Sequence, residues 1–107
     1  MIYRQGDVLI QRIDQEPHGL TPVARDAGRI VLAYGEATGH AHAILDRDCA
    51  LLTADVLTET ERILRVGTGG ATVVHEEHGP IVLEPGVYRV IRQVEWSDAM
   101  EPVLVRD

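Results

Sequence analysis

The 107-residue chain contains no Phe and no Lys, and it has one Cys, one Trp and three Tyr. Without Phe, a core must come from Val, Leu, Ile and Ala, and the Val and Ile share favours sheet over helix. Without Lys, Schiff-base chemistry and lysine nucleophiles are excluded. All ten basic residues are Arg, the better fork for carboxylates and phosphates. A single cysteine, Cys49, excludes an intrachain disulfide and a multi-cysteine zinc site. It is expected to serve as a small buried hydrophobe. Positive charge is scarce: the formal net charge is −7, with 17 acidic residues against 10 basic ones. That balance speaks against non-specific nucleic-acid binding, which needs clustered cations. No apolar run approaches the roughly 18 residues of a membrane span. The opening Met1-Ile2-Tyr3-Arg4-Gln5 lacks the basic-then-apolar design of a secretory signal. The expectation is a cytoplasmic protein with neither membrane nor nucleic acid as partner.

What the chain does have is period-two alternation. Val8, Ile10 and Arg12 alternate with Leu9, Gln11 and Ile13, and Tyr88, Val90, Arg92, Val94 and Trp96 oppose Val87, Arg89, Ile91, Gln93 and Glu95. Short runs of this kind, cut by Gly, Pro and Asp, read as an antiparallel sheet protein. Strands are expected near 2–13 (broken at Gly6), 29–35, 40–46, 49–53, 62–67, 71–76, 80–83, 87–96 and 102–106. Residues 54–61 form the one stretch suited to a helical turn. Glu16-Pro17-His18-Gly19 and Thr21-Pro22 read as a loop, Gly67-Thr68-Gly69-Gly70 as a turn, and Glu84-Pro85-Gly86 as a type II turn. The expected fold class is all-β, a small antiparallel barrel or jelly roll, with residues 1–107 as a single domain.

Four of the five histidines fall in two clusters, Gly39-His40-Ala41-His42 and His75-Glu76-Glu77-His78. Neutral imidazole is a common metal ligand, and close pairs on neighbouring strands can converge on one ion. On a strand, His40 and His42 share a face with Ile44, opposite Ala41, Ala43 and Leu45. Both faces are apolar apart from the histidines, so the strand is expected to be internal, its histidines lining a cavity. The second cluster differs from the zincin pattern, whose histidines lie four apart on a helix. Here the spacing is three, and Val73-Val74 before and Gly79-Pro80 after indicate strand and turn. His40, His42, His75 and His78 are therefore the candidate ligands of a divalent transition metal, drawn from zinc, iron, nickel, copper and manganese. Glu36, Glu76 and Glu77 are the candidate general bases.

Gly39-His40-Ala41-His42 followed by Gly79-Pro80-Ile81-Val82-Leu83-Glu84-Pro85-Gly86 resembles the two motifs of the cupins, small jelly-roll barrels with a catalytic metal. The chain departs from them in spacing: Gly35 lies five residues before His40, and Arg89 stands near the place of the second motif's histidine. Tyr3 to Ile10, the block Gly35 to His42, and His75-Glu76-Glu77-His78 with Pro85-Gly86-Val87-Tyr88-Arg89-Val90 are similar to a family of small uncharacterised bacterial and phage proteins. That second resemblance spans most of the chain and implies no particular activity.

Other polar positions admit two readings. Arg89, Gln93 and Glu95 share a face with Val87 and Ile91; inside a barrel they would bind an anionic ligand or tune a metal, and outside they would be a solvated face. Asp7, after Gly6, is expected to shape the start of a strand. The function expected from these residues is a metal-binding protein acting as a small metal-dependent enzyme of either hydrolytic or oxygen chemistry, with a small-molecule ligand. The alternative is a non-catalytic interaction or assembly module with structural histidines. A homodimer covering edge strands suits either reading.

Overall fold

The alternating segments pair as antiparallel strands throughout. The structure, a computed structural model, describes residues 1–35, 39–58, 60–96 and 102–104, with the backbone alone at 94–96 and 102–104. Its strands are β1 (Ile2–Gln5), β2 (Val8–Ile13), β3 (Thr21–Pro22), β4 (Ile30–Tyr34), β5 (Ala41–Ile44) and β6 (Cys49–Thr53). They continue as β7 (Glu61–Val66), β8 (Ala71–Val74), β9 (Ile81–Leu83), β10 (Gly86–Arg92), β11 (Val94–Trp96) and β12 (Pro102–Leu104). One sheet has six strands in the order β1-β2-β10-β7-β6-β3, a second has four in the order β4-β5-β8-β9, and β11 pairs with β12 alone. The fold is all-β and antiparallel, and among the described residues the two larger sheets do not close into a barrel. Among the described residues no helix is long and apolar enough to cross a membrane.

The register decides which side chains face the second sheet. Val90 lies opposite Ile10 on one side and Arg62 on the other, and Tyr88 lies opposite Arg12 and Leu64. With a period of two, Val8, Ile10, Leu64, Val66, Tyr88 and Val90 point inward together. They join Ile30, Ala33, Ile44, Ala71, Val73 and Leu83 from the four-stranded sheet in one buried cluster. The same alternation turns Arg62 and Arg92 inward, and Arg89 outward beside Glu61, whose carboxylate lies 3.5 Å from its guanidinium. Arg89 thus belongs to the outer face; the Glu95 side chain lies outside the described residues.

Several expected elements shift, each for a local reason. The break at Gly6 is a hairpin turn: Gln5 pairs with Val8, leaving Gly6 and Asp7 as a two-residue loop. Gly6 has φ +58° and Asp7 does not share the positive sign, the pattern of a type II′ turn that follows strand twist. The segment around Thr21-Pro22, read as a loop, contributes β3 at a sheet edge, where a proline costs no ladder bond. The long terminal strand divides after Arg92, and Gln93 N–H makes a last bond of that register to the Asp7 carbonyl in the hairpin turn. Residues 54–58 form a turn in place of a helical one, closed by Leu57 N–H on the Ala54 carbonyl. Gly86 is already the first residue of β10 at φ +154°, so Glu84-Pro85-Gly86 is not the type II turn that its composition suggests. A Cβ at Gly86 would sit 2.8 Å from the Arg12 guanidinium, which donates to the Pro85 carbonyl.

Candidate metal centre and its buried support

The expectation of an internal strand for the first histidine cluster holds: β5 lies between β4 and β8, and all four of its residues are buried. A register shift between Val31 and Ala33 brings Ala33 opposite His42. On the other side Ala43 pairs with Val74 and Ile44 with Val73. Continued past the end of β8, that register sets His42 beside His75, Ala41 beside Glu76 and His40 beside Glu77. The side chains agree: the His42 and His75 ring centroids are 4.3 Å apart, and Ala41 N–H donates to Glu76 Oε1 at 2.6 Å. His40 Nδ1 lies 3.9 Å from Glu77 Oε2. Two segments that are remote in sequence are thus juxtaposed by ordinary sheet pairing.

His42 is fully buried and held by its neighbours. Gln5 Nε2 donates to the carbonyls of Val73 and Gly79 at 3.2 and 2.9 Å. This orientation leaves Gln5 Oε1 as an acceptor, so His42 Nδ1, 2.8 Å away, carries the proton between them. His42 Nε2 faces Asp7 Oδ1 at 3.3 Å. A carboxylate oxygen only accepts, so the contact is bonding when Nε2 is protonated as well. The other oxygen of Asp7 accepts from Arg92 Nε at 2.9 Å, and Arg92 Nη2 donates to the Tyr34 carbonyl at 2.7 Å. Four residues from β1, its turn, β5 and β10 therefore form one polar network inside an apolar sandwich.

Above it the site opens to solvent. His75 is 8% exposed, His40 is half-buried, and Glu76 is exposed. His40 meets His75 edge to face at 5.7 Å, and His78 lies 4.7 Å from His75 and 6.0 Å from His42 between ring centroids. His78 Nε2 is buried and has no hydrogen-bond partner among the described residues. The Ala41 amide holds the Glu76 carboxyl below the usual carboxylate range, against a smaller opposing effect of desolvation. Glu77 N–H donates to His75 Nδ1 at 3.0 Å, which places the proton of a neutral His75 on Nε2. A metal on either ring nitrogen of His75 would therefore require the Glu77 amide to give up Nδ1, which either binds the metal or takes the ring proton.

The donor atoms of His40, His75 and Glu76 lie within 4.8 Å of one another. His42 and His78 border this group, His42 beneath it with both nitrogens facing protein groups. Glu77 is at the rim beside His40. Glu36 lies outside the described residues. Sequence reasoning gave no place in the site to Gln5, Asp7 or Arg92. Asp7 does not merely shape a strand start: it is fully buried, because the hairpin turn lies at this end of the sandwich and Val8 pairs with Arg92. The available signal was the inward phase of Arg92, in step with Tyr88 and Val90, since an arginine pointing into a core needs an acidic partner.

Comparison with curated proteins and with solved structures returns no match, and the likeness to cupins gains no support from them. A family model described as a domain of unknown function, DUF8820, matches residues 4–93. That span holds both histidine clusters and the Gln5-Asp7-Arg92 support, and the chain belongs to this family.

Proposed function

We propose that this protein binds one divalent transition metal ion through His40, His75 and Glu76 and uses it on a small molecule. The observation that carries the reading is the convergence of these three donor atoms within 4.8 Å. Metal–ligand bonds of about 2.0–2.2 Å set neighbouring ligand atoms roughly 3–3.5 Å apart. The group therefore needs to contract by on the order of 1 Å, which side-chain rotation supplies at a half-exposed rim. Two imidazoles and one carboxylate suit zinc, iron, nickel, copper or manganese, and they leave coordination positions open. An ion so held acts as a Lewis acid or acidifies a bound water, and Glu77 stands beside His40 as a base. The set serves hydrolysis with zinc and oxygen chemistry with iron.

Elemental analysis of protein purified without an affinity tag tests the reading. About one ion per chain is expected, with loss in a His40→Ala, His75→Ala double variant that stays folded. Full retention of metal by that variant would refute the site.

One observation favours a second reading, an assembly module with structural histidines. Leu45, Val74 and Val82 are 68%, 40% and 69% exposed, and pairing of β5, β8 and β9 sets them on the outer face of the four-stranded sheet. Melting that depends on protein concentration and ignores chelator would favour it.

A further inference from the structure

The inward-facing arginines have a setting of their own, apart from the histidine rim. A cavity of about 420 Å³ opens between β4 and the β6-β7-β10 part of the larger sheet. Its volume falls within the range of small-molecule sites, about 300–1,000 Å³. Val23, Leu32, Ala33 and Leu51 give it apolar walls, and Thr60, Arg62 and Arg92 supply polar groups. Both charged residues of its lining are arginines, and one of them, Arg92, is paired with Asp7.

These positions are not accidents of a flexible surface. Arg92 N–H donates to the Thr60 carbonyl, and Val90 pairs with Arg62. Thr60, Arg62, Val90 and Arg92 therefore occupy one contiguous patch on the inner face. Further along that face, Leu64, Val66 and Tyr88 belong to the buried core. The Arg92 guanidinium is fixed in direction by Asp7 on Nε and by the Tyr34 carbonyl on Nη2. Its side chain keeps 24% of its exposure. A guanidinium clamped on one edge presents its remaining N–H groups in a set direction, the arrangement that recognises a planar carboxylate. Apolar walls beside the two guanidinium groups define the rest of the ligand.

We propose that this cavity binds a small monocarboxylate with an apolar body, its carboxylate toward Arg62 and Arg92 and its chain against Leu32, Ala33 and Leu51. The inference stands independently of the metal, because none of His40, His75 and Glu76 is among the residues that line the cavity.

Calorimetric titration of the full chain with octanoate, octan-1-ol and inorganic phosphate tests it. Octanoate is expected to bind with a Kd below about 1 mM. Octan-1-ol is expected to bind about tenfold more weakly or less, since a charge-assisted contact is lost. Phosphate should not compete. Arg62→Gln should weaken octanoate by about tenfold and leave octan-1-ol unchanged. Leu32→Glu, which sets a carboxylate against the cations at a half-buried position, should abolish octanoate binding while the protein still melts cooperatively. Equal affinity for octanoate and octan-1-ol, displacement by phosphate, or undiminished octanoate binding in Leu32→Glu would overturn the proposal, as would absence of octanoate binding to the parent protein.

Discussion

Asp7 Oδ1 lies 3.3 Å from His42 Nε2, and both side chains are closed to solvent. A buried carboxylate is tolerated only when its neighbours replace the water it has lost. Here Arg92 donates to Asp7 Oδ2, His42 Nε2 donates to Oδ1 when it carries a proton, and Gln5 holds His42 through Nδ1. The network anchors the strand that carries the first histidine cluster to the hairpin of β1 and β2. It gives the rim above a rigid floor, as supporting groups do for the ligands of metal sites generally.

Removing the charge at the centre of this network is expected to cost stability. Asp7→Asn should destabilise the fold by on the order of 3 kcal/mol, the range for breaking a buried pair from one side. Urea unfolding with the slope unchanged is the measurement. A loss below about 1 kcal/mol, the level of an exposed pair, would show that Arg92 and His42 find other partners readily.

Gln5 offers a test of hydrogen bonding without charge. Gln5→Leu leaves the carbonyls of Val73 and Gly79 and the Nδ1 proton of His42 without their present partner. The expected loss is about 1–3 kcal/mol in the same assay. Gln5→Glu should be no better, since a carboxylate accepts and cannot donate to the two carbonyls.

Gly70 tests the backbone. It has φ +70°, and a Cβ there would meet the Leu83 carbonyl oxygen at 2.9 Å. Gly70→Ala therefore meets both backbone strain and a close approach to fixed main chain. A loss of about 1–3 kcal/mol is expected, read as a lower melting temperature.

Cys49 sets a pH dependence. Burial raises its thiol pKa above the ordinary value, outweighing the opposing pull of Arg25. A raised pKa means less thiolate at any pH below it, and thiolate is the reactive form. Alkylation by iodoacetamide should be slower at pH 8 than for a free thiol, and should continue to rise with pH past the point where the free thiol levels off. A profile that saturates below pH 8 would contradict the assigned environment.

Much of the fold was legible in local pattern. Alternation along 8–13 and 87–92 announced antiparallel strands, because a half-buried strand writes its two faces into successive residues. The expected bounds 49–53 coincide with β6. The family could likewise be recognised from blocks of the chain, as residues 4–93 bear out. Glu84-Pro85-Gly86 misled, because composition favours a turn type while the pairing of Gly86 with Val66 decides its dihedral. Thr21-Pro22 carried no alternation to read, since two residues are too few to show a period.

By itself the sequence determined that histidines would stand in two clusters on or near strands, because residue type and periodicity are local properties. Tertiary structure alone decided that His75 falls beside His42, since that depends on the register of two strands some thirty residues apart in the chain. It likewise decided that Asp7 meets both Arg92 and His42. A buried charge chooses its partners by where the sheets place them, and no spacing along the chain encodes that meeting.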